Sequence, residues 1–582
     1  MSSVDDIFKH AQASGQPNKR KIEAPRDPNE VYKAAKIDSN AHGSRHSPAR
    51  ERDEARDGDG DADDYGPEMP PDDEEGRFFG GGITKREDEI LDYLEGKDDA
   101  NDAGADKIDA GWLRKTALSF EKHITKNAEL RAKHEDEPQR FMASESDLDS
   151  DIKTLSILSQ FPELYTELVR LGCAGSLVGL LAHENTDIAI GVMDVLDELT
   201  DDSVTADDEQ WGALVDAMME ADLLDLLFSN LSRLDEKDER DREGVYHAMS
   251  ILENLCSREA VAGKIGADER LLRWLVDRAQ RRESEVSQNK QYAAEMVAIL
   301  AQSAQENRER LVRLGAIDTV LQLAAAYRKR DPDTSGEEEE YMANLFEILT
   351  ALVDRPEGKA KFVEAEGVEL CLIMLKEGGA SKPCALRLLN HAAAGAKGGE
   401  EVCRQLVSAG GLKPTFTMFM KSHDAEAVEH LLGIFVSMLR LLPASSAERI
   451  RTLAKFVEKD YAKLARLLSL REEYAARLSK VRPNPTFADE DEDVQRAELL
   501  SRRLEAGLLA LQTIDLILAW LIAEDDGART RTVELLGKSG LGLDTIKATI
   551  LEQLGELDEE AEEEDKDTRE MLATLAELLE PN

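Results

Sequence analysis

The chain has 582 residues, of which 41% are hydrophobic, only 5% aromatic and 33% charged, with a formal net charge of −47. That length is too great for one ordinary core, so repeated units or several domains are required. The acidic excess argues against direct binding of bare nucleic acid, which draws on Lys and Arg, and favours a basic protein partner.

Residues 1–50 are polar, carry nine basic and six acidic residues and lack hydrophobic periodicity. Within them Lys19, Arg20 and Lys21 form a short basic cluster that reads as a nuclear localisation signal. Ser47-Pro48 is a candidate proline-directed phosphorylation site. Residues 51–110 hold 23 acidic and seven basic residues, with Pro67, Pro70, Pro71 and a Gly80–Gly82 run. Residues 1–105 are therefore expected to be disordered, a basic cluster followed by an acidic linker. Order is expected from 106. A long helix carrying Trp112, Leu118, Phe120 and Ile124 begins a helical cap over 106–160, because a solenoid needs its end covered.

Residues 161–202 read as three helices. Pro162 suits a first turn, where a missing N–H costs nothing, and Gly172 supplies a break. A second helix presents Leu177, Leu180 and Leu181, and a third runs Ile188, Val192, Val195, Leu196 and Leu199 along one stripe, with Asn185 or Thr186 as its N-cap. The same short–medium–long pattern recurs around positions 222, 266, 315, 367 and 410, at intervals close to those of armadillo or HEAT units, roughly 40–47 residues. About six repeats are expected over 161–443. Pro443 marks a boundary, and 444–555 is expected to be a C-terminal helical domain. It opens on a long charged helix with leucines at heptad-like, coiled-coil spacing and contains the apolar stretch LLALQTIDLILAWLIA. That stretch is interrupted by Gln512 and Asp515 and reads as a buried helix rather than a membrane span. Residues 556–582 read as an acidic tail. The fold class is all-α: a right-handed superhelical solenoid of armadillo/HEAT type, with an N-terminal cap, a C-terminal helical domain and a disordered N-terminal region.

Chemistry-bearing motifs are lacking. There is no P-loop, GxGxxG, GxSxG or HExxH, and the ten histidines are dispersed. Five cysteines without a CxxC read as small core residues of a reducing compartment. No catalytic residue, metal site or cofactor is expected, and a homodimer is left open.

The segments 118–134, 140–152, 161–201, 341–349, 416–421 and 502–512 resemble the beta-catenin-like protein 1 family, with similarity over roughly residues 110–550. The resemblance implies a nuclear, non-enzymatic armadillo protein of the spliceosome-associated NineTeen complex. It implies binding of basic, nuclear-localisation-like segments of splicing factors, including a Myb-related component. In armadillo solenoids the third helices line the binding face. Aligning DVLDELT with SILENLC puts Glu198 and Asn254 at equivalent positions, with Asp194 one turn before Glu198. Gln302 and His391 are expected in the same role further along, with Glu295 and Glu347 nearby. The alternative is an importin-alpha-like transport adaptor. It is disfavoured because Trp112, Trp211, Trp274 and Trp520 lie outside the predicted third helices. A ubiquitin-ligase subunit lacks any supporting signature.

Overall fold

A computed structural model describes residues 107–484, 491–557 and 563–580 of the chain, all within the unit Arg77–Asn582. The basic cluster Lys19–Lys21, Ser47-Pro48 and the expected disorder over 1–105 fall outside the described residues. Among those that are described, every regular element is helical.

Helices α1 (Ala110–Lys133) and α2 (Met142–Leu155) open the described chain. The first repeat is α3 (Tyr165–Arg170), α4 (Cys173–Leu180) and α5 (Thr186–Thr200). The second is α6 (Asp208–Glu220), α7 (Leu223–Arg233) and α8 (Glu239–Leu255). The third is α9 (Glu259–Ile265), α10 (Glu269–Gln280) and α11 (Gln288–Ser303). The fourth is α12 (Gln305–Arg313), α13 (Ala316–Ala324) and α14 (Glu338–Leu352). The fifth is α15 (Pro356–Glu364), α16 (Gly367–Glu377) and α17 (Ser381–Ala393). The sixth is α18 (Ala396–Ser408), α19 (Leu412–Lys421) and α20 (Ala425–Leu441). Then follow α21 (Ala447–Leu478), α22 (Glu492–Glu505), α23 (Leu508–Glu524), α24 (Asp526–Lys538), α25 (Asp544–Glu556) and α26 (Glu563–Leu578).

Each third helix packs on the next, so α2, α5, α8, α11, α14, α17, α20 and α23 form one continuous row. The apolar stripes meet along this row, where Leu196, Leu252, Leu300, Leu349, Leu389 and Leu432 are buried. This is the all-α armadillo-type solenoid expected from the repeat spacing.

The break between first and second helices is a left-handed residue at Gly172 (φ 76°), Asp222 (60°), Gly315 (78°), Glu366 (57°) and Gly410 (79°). The third repeat differs from expectation. Gly266 is right-handed, and α10 is instead N-capped by Asp268, whose carboxylate accepts from the backbone N–H of Arg270 and Leu271. Gly266 is small for another reason: a Cβ there would lie 2.1 Å from Asn307 Oδ1.

At the N-terminal end, buried Asn127 donates to Ser144 Oγ at 3.0 Å and meets His183 Nε2 at 3.1 Å. Arg131 pairs with Glu145 and Glu184. These bonds tie α1 and α2 to the first repeat. Cys173, Cys371 and Cys403 are buried, and burial pushes the Cys403 thiol up to about 12, consistent with inert core residues.

Two C-terminal segments differ from their sequence reading. The heptad-like helix α21 is broken at Glu458–Tyr461, where Lys459, Asp460 and Tyr461 are all left-handed. Its Leu464, Leu467, Leu468 and Leu470 are buried within this chain, where α21 packs on α23. The segment read as an acidic tail carries α26, which packs on α23 and α25 and buries Leu572, Leu575 and Ala576. Among the described residues no single helix is long and apolar enough to cross a membrane. The pair α22 and α23 meets that length and composition only together, with a bend of 67°, and α23 is buried nearly all round.

Candidate functional site

Helix α5 and its C-cap residue bring four acidic residues to one end of the row. Asp194, Asp197, Glu198 and Asp201 follow at i, i+3, i+4 and i+7, the spacing that places side chains on one helix face. The last turn of α5 contains no basic residue, so the negative end of its dipole adds to the carboxylates. Register is fixed by the opposite face, where Ile188, Val192, Val195, Leu196 and Leu199 are buried, and by Asn185, whose side chain accepts from Asp187 N–H at 3.0 Å.

Helix α8 supplies the counterparts. His247 Nδ1 lies 3.0 Å from Asp197 Oδ2, and its Nε2 lies 3.5 Å from Asp194 Oδ1. Burial opposes charging of this imidazole, but the hydrogen bond to Asp197 and the charges of Asp194 and Asp197 outweigh it and raise its pKa. Asn254 Nδ2 donates to Asp197 Oδ1 and to Thr200 Oγ1, both at 3.2 Å. Its amide is thus turned onto the preceding repeat and fixes the rotamer of Asp197. Glu198 remains exposed to solvent, yet the surrounding protein raises its pKa, first by desolvation and then by Asp194 and Asp197, with Ser156 and His247 pulling the other way.

Two clefts open here. One, about 450 Å³, is lined by Asp197, Glu198, Asp201 and Ser203. The other, about 630 Å³, is lined by Ile108, Trp112, Ile157 and Glu198. Ser159, Gln160 and Glu198 belong to both.

Further along the row the character changes. Tyr246 and Tyr292 meet with ring centroids 5.2 Å apart, and the Tyr292 hydroxyl donates to Glu253. Glu295 accepts from Gln291 at 2.7 Å, and Gln302, two turns on, is exposed. On α14, Glu347 is paired with Arg387 of α17. His391 is held neutral: burial, then the charges of Arg387 and His430, press its pKa down to about 4. The structure therefore brings Asp194, Glu198 and Asn254 together, sets Glu295 and Gln302 two repeats away from α5, and gives Glu347 and His391 a neutralised environment outside the acidic cluster. Sequence reasoning missed Asp197 and the ligation of His247 between two aspartates. The acidic run at 194, 197, 198 and 201 was the available signal.

Among the described residues no group of three or more His, Cys, Asp or Glu is placed to hold a metal ion. Comparison with known proteins decides the family. The family described as "Catenin-beta-like, Arm-motif containing nuclear" matches residues 88–552. The chain belongs to this family. It is 35% identical over 477 residues to the beta-catenin-like protein 1 homolog of Schizosaccharomyces pombe, covering 82% of this chain and 84% of that one. It is 35% identical over 465 residues to human beta-catenin-like protein 1, covering 76% and 82%. Among solved structures, one from work on a phosphorylation switch controlling the interaction between cadherin and beta-catenin superposes with a TM-score of 0.48. It is 14% identical and covers 85% of this chain and 95% of that one. The family's armadillo-motif description agrees with the helical repeats seen here.

Proposed function

We propose that this chain is a non-enzymatic nuclear scaffold that docks basic, nuclear-localisation-like segments of splicing factors. The acidic groove at the end of α5 is the docking site, and the setting is the spliceosome-associated NineTeen complex, with a Myb-related component among the partners. The family's nuclear description supports the nuclear part of that setting. The observation that carries the binding mode is the carboxylate cluster Asp194, Asp197, Glu198 and Asp201 beside open clefts. Carboxylates on a fixed helix face accept charge-assisted hydrogen bonds from Lys and Arg, each on the order of 1.5–3 kcal/mol when sheltered and roughly 0–1 kcal/mol when exposed.

The test is calorimetric titration of a basic splicing-factor peptide at two salt concentrations. The double change Asp194→Lys with Glu198→Lys is expected to lower affinity at least tenfold, about 1.4 kcal/mol, with helicity unchanged by circular dichroism. Binding to the unaltered protein should weaken as salt rises. Unchanged affinity in a folded double variant removes these residues from the site. For localisation, changing Lys19, Arg20 and Lys21 to Ala is expected to shift a tagged protein toward the cytoplasm. Unaltered nuclear accumulation rejects that signal.

A further inference from the structure

We propose that the groove reads a pair of neighbouring side chains rather than charge alone: a Lys or Arg held at Glu198, and a large apolar side chain seated in the cleft walled by Ile108, Trp112 and Ile157. The inference rests on the docking function above and names its specificity.

Glu198, with Ser159 and Gln160, lines both clefts, so a segment bound at Glu198 has both clefts within reach of neighbouring side chains. The smaller cleft carries the carboxylates of Asp197, Glu198 and Asp201 among neutral, mostly polar side chains. The larger is walled on one side by three half-buried apolar side chains that leave part of their surface open to solvent. That wall is held in place. Asp109 accepts from the backbone N–H of Gly111 at 2.8 Å and of Trp112 at 3.1 Å, which fixes the first turn of α1. Leu113, next in sequence, and Ala117, one turn beyond it, are buried against the core. Ile157 follows buried Leu155 and precedes buried Leu158 in the 3-10 turn after α2.

Charge selects the occupant. Lys153 lies on the rim of the larger cleft with its ammonium 2.6 Å from Asp149. Asp149 already balances that ammonium, and Glu198 is the one carboxylate among the described residues lining the cleft, so a second cation seated there finds no counter-charge of its own, whereas an aliphatic or aromatic side chain needs none. The apolar walls gain from the second occupant and lose nothing to the first. Basic segments followed or preceded by Leu, Ile or Phe are therefore the preferred ligands, over basic segments flanked by Ser or Gly.

The experiment uses the full chain and labelled peptides that share one Lys/Arg block and differ only in a flanking Leu, Phe or Ser, read by fluorescence anisotropy. On the unaltered protein the Leu and Phe peptides are expected to bind about tenfold more tightly than the Ser peptide. Trp112→Ala should abolish that advantage while leaving the Ser peptide's affinity within about twofold, and Trp112→Phe should restore most of it. If Trp112→Ala disturbs the docking of α1, as read from its melting curve, Ile157→Ser tests the same wall from a different element. Equal binding of the Leu and Ser peptides overturns the paired readout while leaving the charge-based function standing, as does an advantage that survives both wall variants. A flanking Arg that outcompetes Leu overturns the apolar assignment. Failure of every basic peptide to bind overturns the underlying function and this inference with it.

Discussion

At His247 two consequences of acid run in opposite directions. Its folded pKa is raised by Asp197 and Asp194 against the opposing effect of burial. The stability it contributes is therefore complete below the ordinary histidine pKa and is lost as pH rises through the folded value. Yet the protonated ring also neutralises the two aspartates that a basic ligand would use. Protonation of Glu198, whose pKa is raised from its ordinary value by desolvation and by Asp194, removes a further negative charge. Affinity for a basic peptide is thus expected to fall as pH drops from about 8 to 5.5 while the α5–α8 contact tightens, and His247→Gln should flatten the upper part of that profile. A pH-independent affinity would show that neither group meets the ligand. The left-handed breaks make a second residue-scale case. At Gly172, Gly315 and Gly410 glycine announces the turn in the sequence, but at Asp222 and Glu366 the same conformation is worn by residues with a Cβ, which is why the fifth break was placed one residue late, at Gly367. A left-handed L-residue costs roughly 1–2 kcal/mol, partly offset by the chain entropy that glycine adds to the unfolded state. Glu366→Gly is therefore expected to stabilise the protein by about 0.5–1 kcal/mol in denaturant melts, and a loss of stability would mean that the exposed Glu366 side chain makes a compensating contact.

Between elements, the two halves of the row respond differently to protons. His391, packed where α17 meets α20, has its pKa pressed down to about 4 by burial and by Arg387 and His430. Its contribution is present above the ordinary histidine pKa and is lost as pH falls toward the folded value. Hydrogen exchange at pH 5 and 7.5, corrected for intrinsic rates, should show α17 and α20 losing protection in acid while α5 and α8 do not. Equal loss in both halves would sink this reading. The pair joining α21 to α23 is a different kind of contact. Arg471 Nε and Nη2 donate to the two oxygens of buried Asp515 at 2.6 and 3.1 Å, and desolvation raises that carboxyl to about 6 although Arg471 and Thr549 pull it down. Removing one partner leaves a buried charge, so Asp515→Leu alone is expected to cost about 3–5 kcal/mol, whereas Arg471→Met with Asp515→Leu should recover most of that loss. Thermal melts of the two single variants and the double variant measure it, and additive losses would argue against coupling. Sequence reading saw Asp515 only as an interruption of an apolar helix, because nothing local in α23 names its partner 44 residues away. The heptad-like leucines of α21 misled for the same reason: spacing reports that a face is apolar, not whether a second chain or the same chain covers it. In α26 and the residue that follows it, the acidic composition masked Leu572, Leu575, Ala576 and Leu579, which are buried at helical spacing.

At the scale of the molecule, the repeats among the described residues pack chiefly on their neighbours, and stability is expected to be a sum of local and nearest-neighbour contributions. That is also why the architecture was legible: each repeat carries its own punctuation and stripe, whereas the acidic site is assembled across α2, α5 and α8 by contacts some 50 residues apart in sequence. The groove lies near the N-terminal end of the row, and an aromatic cluster seals the sixth repeat against the C-terminal helices. There Phe456 of α21 meets Phe416 at 4.8 Å and Phe435 at 5.6 Å between ring centroids, with Phe416 stacked on Phe435 at 4.3 Å. Phe456 is 1% exposed, so Phe456→Ala should cost about 3–5 kcal/mol through lost burial and the cavity left behind. In a quasi-one-dimensional molecule that loss stays where it is made. The expected outcome is an earlier calorimetric transition for the C-terminal half and faster exchange in α20, α21 and α23. Protection in α5 and α8 should be unchanged, and affinity for the basic peptide at 25 °C should stay within about twofold of the unaltered protein. If α5 and α8 lose protection in step with α20, the row unfolds as one cooperative body. The groove's geometry then depends on the far end of the solenoid, through the buried ladder of leucines running from Leu196 to Leu432.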